Sequence, residues 1–125
     1  MIAQYRGYRD LRVYQVAYAL ALEIHEVSKS FPHEERYSMT DQIRRASRSV
    51  VANIAEAWRR RKYEKSFISK LIDSSSEEAE VEVWLEMCKD CGYITVASHD
   101  EFLAKYEEVG KMLTSMISHP EKFCH

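Results

Sequence analysis

Three groupings in this 125-residue chain carry residue types that could do chemistry. Cys88-Lys89-Asp90-Cys91 has the C-x-x-C spacing shared by zinc half-sites and redox pairs. A zinc site needs four ligands. The remaining candidates, Cys124 and His125, fall at the far end of the chain's last predicted helix, about a helix length away in an antiparallel arrangement. A redox thiol is favoured at a helix N-terminus, where the dipole lowers its pKa, whereas these two close a helix. The pair reads as one core and one surface cysteine, with a zinc bridging two subunits the one metal arrangement left open.

Ser74-Ser75-Ser76 invites comparison with a nucleophile, but no Gly-rich elbow and no neighbouring base accompany it. Small hydroxyls that let helices approach closely are the simpler expectation. A carboxylate-bridged metal pair in a helical bundle needs Glu-x-x-His on each of two helices. Glu23-x-x-Glu26 and Glu77-x-x-Glu80 have no His, and none of the five histidines has Glu three residues before it. No phosphate loop or dinucleotide fingerprint is present among three isolated glycines. The expectation is therefore no enzyme, no cofactor and no metal.

The feature with functional promise is electrostatic. Residues 44–70 hold nine Lys/Arg against two Glu, and residues 71–101 hold nine Asp/Glu against one Lys. Arg45, Arg48, Arg59 and Lys62 recur at multiples of three and four residues, bridged by Ala52 and Ala55 and pointing opposite Ile43, Val50 and Ile54. Arg44 flanks this ridge, and Arg60, Arg61 and Lys65 extend it. An exposed ridge of this kind is a footprint for phosphate backbones, and the guanidinium fork binds phosphate bidentately. The competing expectations are a solvated face, or ion pairing with the acidic residues Glu77, Glu78, Glu80, Glu82 and Glu86, within or between subunits. Nothing supports sequence-specific base reading, since no helix-turn-helix or zinc-finger pattern occurs.

The elements that must position these residues are all helical. Gly and Pro are scarce, at three and two residues, which disfavours turn-rich β folds. Apolar residues repeat at helical spacing over four segments, about residues 10–30, 39–61, 64–91 and 98–118. Phe31-Pro32 stops the first, Ser38 or Thr40 could cap the second, Gly92 suits the position after the third, and Ser98 with Glu101 matches a capping box for the fourth. Four helices of about 30–40 Å with short links predict one all-α domain over residues 1–125, an antiparallel up-down-up-down four-helix bundle. In the third helix Ala79 and Trp84/Leu85 are expected on the core side. Gly110 inside the fourth permits a close neighbour.

The first two helices carry more apolar surface than one bundle can bury. Tyr14, Tyr18 and Leu22 lie away from the first core stripe, and Val51 and Trp58 lie at the edge of the second. They predict an oligomer interface. Net charge is −2 and no apolar run approaches a membrane span. With no signal peptide in view, the expectation is a cytoplasmic protein with reduced thiols and no membrane partner.

Phe31-Pro32, then Gln42-Ile43-Arg44-Arg45-Ala46 and Ser49-Val50-Val51-Ala52-Asn53-Ile54-Ala55-Glu56, resemble the four-helix-bundle proteins encoded in intervening sequences of bacterial 23S ribosomal RNA genes. Tyr8-Arg9-Asp10-Leu11-Arg12-Val13-Tyr14 resembles that family's start, and Ser75 with Glu78-Ala79-Glu80 its third helix. Ala57 and Ser74 stand where the family usually has Gly. The resemblance implies a ring-like homopentamer, in a family with no established enzymatic activity. It also implies structural roles for Asn53 and Glu56, bonded across helices. The family is similar in fold to accessory proteins of diversity-generating retroelements, which work with a reverse transcriptase and bind nucleic acid through a basic surface. By that analogy RNA or DNA and a reverse transcriptase are the partners to test.

Overall fold

The computed structural model describes residues 5–124 and is helical throughout its regular structure. The four helices are α1 (Arg12–Ser28), α2 (Met39–Arg59), α3 (Glu64–Asp90) and α4 (Val96–Ser118). Short links force each helix to run against its predecessor. α1 packs on α2 and α4, and α3 packs on α2 and α4, so four seams close around one core.

The core follows from helical spacing. Val13, Ala17, Leu20 and Ile24 line α1; Ile43, Ala46, Val50, Ile54 and Ala57 line α2; Phe102, Tyr106, Val109, Leu113 and Met116 line α4. On α3 the buried line is Phe67, Leu71, Ser74, Glu78, Val81, Leu85 and Cys88. Ala79 is exposed, contrary to the apolar-pattern expectation, and Glu78 takes the inward place. Helical phase decides this. Ser74, Glu78, Val81 and Leu85 continue the three- and four-residue steps from Leu71, and Ala79 falls one residue out of step. Ser74 is fully buried and its hydroxyl donates to the Val50 carbonyl at 2.8 Å, which binds α3 to α2 through a small side chain.

Helix ends differ in detail from the expected caps. Thr95, not Ser98, caps α4, since its side chain accepts the Ser98 N–H at 3.0 Å. Thr95 has extended backbone, as a cap requires. Ser38 occupies the cap position of α2 but donates its hydroxyl to Glu35, whose Oε1 also accepts the Met39 N–H at 3.4 Å. Glu35 Oε2 takes the Tyr93 hydroxyl at 2.7 Å, joining the α1–α2 link to the α3–α4 link. That bond holds Glu35 below the ordinary carboxyl range, after the larger effect of Ser38, and pushes Tyr93 up to about 12. Gly92 has φ +78°, the left-handed position after α3.

A basic stripe and an apolar groove on one face

α1 and α2 leave a groove between their outward faces. Tyr8, Tyr14, Tyr18, Ala21, Leu22 and His25 form one wall, and Arg48, Val51, Ala52 and Ala55 the other. The groove holds about 450 Å³, within the range of ligand-binding clefts. Tyr18 and Leu22 are 49% and 54% exposed. The structure thus brings together Tyr14, Tyr18, Leu22 and Val51, four of the five residues expected at an interface.

Trp58 does not join them. It is only 5% exposed. Tyr5 meets its ring edge-on with centroids 5.8 Å apart, Tyr5 stacks on Phe123 at 5.9 Å, and Phe123 faces Phe67 at 6.1 Å. The segments before α1 and after α4 therefore cover Trp58. The placement on an interface is corrected, because periodicity within α2 cannot register a lid supplied by the chain's two ends.

The basic set also divides. Arg44 is half-buried, with Nε donating to Ser28 Oγ at 2.7 Å and Nη2 to the His25 carbonyl at 3.5 Å. It braces α2 to α1. Arg61 lies over the Trp58 ring, 3.6 Å from its centroid, and donates to the Trp58 carbonyl at 2.8 Å. Arg60 donates to Ser66 Oγ at 3.2 Å. Arg44 and Arg61 are thus engaged in packing, Arg60 is exposed but held by Ser66, and Arg45, Arg48, Arg59, Lys62 and Lys65 are exposed. Arg48 reaches His25 Nδ1 at 3.3 Å.

None of the eight basic residues of the predicted set forms an ion pair among the described residues. Other cations do: Arg12 pairs with Glu108, Lys105 with Glu23, and Lys70 with Glu56 and Asp73. The Glu56 carboxylate is thereby held on the α3 side, away from the groove. Asn53 is buried but bonds within its own helix, to the Ser49 carbonyl and hydroxyl at 3.0 and 3.1 Å, rather than across helices.

By periodicity Ala52 and Ala55 stand both in the basic ridge and in the apolar surplus of the second helix. In the structure Arg48 lines the groove itself, and Ala52 and Ala55 belong to both features. Ile72, which the apolar pattern places on the core side of the third helix with Leu71, instead belongs to a second exposed surface. Ile72, Val83 and Met87, 48%, 54% and 48% exposed, lie along the outer face of α3 with exposed Ala79 between them. Asp73, Glu80 and Glu86 flank this stripe. Its signal was present as a second period of apolar residues on α3, obscured because inward serine and glutamate weaken the contrast between faces.

The other candidate chemistry is occupied or sequestered. Cys88 is buried, and burial pushes its thiol up to about 12, while Cys91 is exposed. The groups expected for a zinc site with them include His125, which lies outside the described residues. Among the described residues no group of three or more His, Cys, Asp or Glu is placed to hold a metal. Among the described residues no helix is long and apolar enough to cross a membrane.

Comparison with known proteins places this architecture. Residues 9–115 match the model of a family described as 23S rRNA-intervening sequence protein. A crystal structure from Bacteroides thetaiotaomicron VPI-5482, described as a protein with unknown function from the S23 ribosomal protein family, superposes with a TM-score of 0.77. It is 31% identical, over 85% of this chain and 95% of that one. No curated protein matches.

Proposed function

This chain belongs to the 23S rRNA-intervening sequence protein family, and we propose that it is a non-enzymatic bundle, acting in the cytoplasm, that binds nucleic acid nonspecifically through Arg45, Arg48, Arg59, Lys62 and Lys65. One observation carries the proposal. These five cations are clustered and exposed and none makes an ion pair among the described residues, whereas Arg12, Lys70 and Lys105 on other seams of the bundle do. Unpaired guanidinium groups in a row supply charge-assisted, bidentate contacts to phosphate without reading bases. The non-enzymatic part rests on how the chemical residues are spent: Ser74 bonds a backbone carbonyl and Cys88 is held neutral in the core. In this reading the groove of Tyr14, Tyr18, Leu22 and Val51, expected from sequence as an oligomer interface, faces the ligand instead, and the exposed apolar surface left for self-association is the α3 stripe of Ile72, Val83 and Met87. By fold analogy a reverse transcriptase is a further partner to test.

The test is fluorescence anisotropy of labelled RNA and DNA across a salt series. Affinity should fall linearly with log salt, with a slope of about −0.7 per phosphate contact on single strands. Arg45→Ala, Arg48→Ala and Arg59→Ala together should remove most binding and flatten the slope by about 2. Binding that ignores salt, or survives the triple change, overturns the proposal.

A second reading has its own observation. The apolar stripe on α3 is set among carboxylates, and the α1–α2 groove is rimmed by arginine. A neighbouring copy could seat the one in the other. Such a head-to-tail contact is heterologous and closes into a ring if the rotation permits, as in a pentamer. The protein would then be a scaffold with no nucleic-acid ligand, and the same triple change would break the assembly, seen as loss of mass in light scattering.

A further inference from the structure

The α1 wall of the groove is a ladder of aromatic rings. Tyr8 and Tyr14 have centroids 5.0 Å apart, and Tyr14 and Tyr18 follow at 5.8 Å with their planes tilted by 31°. The Arg9 guanidinium sits 4.7 Å over the Tyr8 ring. Tyr18 is half-exposed at the centre of the groove. None of the ten groove-lining residues is acidic, and Arg48 and His25 close one end. Past the other end of α2, Tyr63 is 67% exposed in the turn between Lys62 and Lys65.

A solvated apolar face would not need rings and guanidinium groups interleaved, and a duplex could use only the charge. Its bases are already stacked on one another and offer no faces. Unpaired bases do. Each has a π-face that stacks on Tyr regardless of sequence, while the strand's phosphates follow a basic rim. Arg48 and Arg59 stand about 16 Å apart along α2, so one strand lying along the helix can meet both.

We propose that the α1–α2 groove is a stacking platform for unpaired bases, with Tyr14 and Tyr18 as the contact rings and Arg48 and Arg59 on the strand's phosphates, so that the ligand is single-stranded RNA or DNA. This rests on the nucleic-acid reading above and narrows it.

The experiment compares a labelled strand of about a dozen nucleotides, as RNA and as DNA, each alone and annealed to its complement. Wild-type protein should bind either single strand more tightly than its duplex; whichever of RNA and DNA binds identifies the source. Tyr18→Ala should weaken single-strand binding roughly five-fold or more and leave duplex binding unchanged. Tyr18→Phe, which keeps the ring, should restore it. Tyr18 is exposed, so neither change threatens the fold, and Tyr14→Ala is added only if its melting curve matches wild type. Equal affinity for single strand and duplex overturns the inference, as does indifference to Tyr18→Ala. In both cases the salt-dependent loss in the arginine triple variant would leave the nucleic-acid reading standing. Loss of particle mass in Tyr18→Ala without added nucleic acid also overturns it, since a second copy would then occupy the groove. Absence of binding to every strand and duplex at low salt removes both proposals together.

Discussion

Glu78 Oε1 lies 2.8 Å from the point where a Cβ on Gly110 would stand. The glycine in α4 thus makes room for a carboxyl group that α3 turns inward, and Glu78 is only 6% exposed. Its other oxygen, Oε2, and the Tyr106 hydroxyl are buried with no hydrogen-bond partner within the described protein. Burial pushes the Glu78 pKa up to about 9, with Glu82 on its own helix and Glu107 on α4 adding to the effect. Lys111 lines the same cleft from α4.

Gly110→Ala and Glu78 should be coupled. In a helix interior, Gly to Ala gains about 1 kcal/mol from propensity. Here the new methyl must displace the Glu78 carboxyl, so the gain in wild type is cut or reversed. In a Glu78→Ala background the full gain should return. A double-mutant cycle by urea denaturation should show coupling of about 0.5–3 kcal/mol. Additive effects would mean that Glu78 swings away at no cost.

Stability should fall with rising pH through one buried acid. Unfolded Glu78 ionises near its ordinary value of 4.5, and the folded form keeps its proton to about 9. Between these values the native state holds the extra proton, so each step up in pH favours unfolding. The Glu78→Gln variant carries no such group. Its melting temperature relative to wild type should rise steadily from about pH 4.5 to pH 9 and level off beyond. A constant difference across that window would contradict the assignment.

The arginines of α2 and of the turn that follows it should separate into two classes. Arg44→Ala removes a brace to Ser28 and should cost about 1–2 kcal/mol of stability. Arg61→Ala removes the cation stacked on Trp58 and should cost about 0.5–2 kcal/mol. Nucleic-acid affinity should change less than about two-fold in either, the size of an ordinary surface effect. Arg48→Ala and Arg59→Ala should do the reverse. Thermal melts and anisotropy on the same four proteins would decide.

Thiol labelling should be graded. Cys91 is exposed and should react at once with an aromatic disulfide reagent. Cys124 is partly buried, with its pKa raised by burial and by Glu64, and should follow slowly. Cys88 should react only on unfolding, since both access and thiolate are missing. Early modification of Cys88 would show that the end of α3 opens.

Much of this protein was legible in one dimension. Helical spacing of Val13, Leu20, Ile43, Val50, Ile54, Tyr106 and Leu113 sufficed for four helices and their inward faces, because a helix repeats its face every three to four residues whatever surrounds it. The charge division between α2 and α3, and the surplus of apolar residues on α1, were also visible as composition. What each arginine does was not. Arg44 and Arg45 are adjacent and helical phase turns them about 100° apart, but that Arg44 meets Ser28 of α1 while Arg45 stays exposed is fixed by how α1 seats against α2. Trp58 has the same periodicity buried or exposed, and only the fold-back of Tyr5 and Phe123 decides. Glu78 turned inward because the helical phase was already set by Leu71 and Leu85, and Gly110 on another helix made the space. Sequence determines what lies on each face of a helix; the meeting of faces, and hence the placing of Arg48 against the tyrosine ladder in one groove, depends on the packing angle and offset between helices, to which distant residues contribute together.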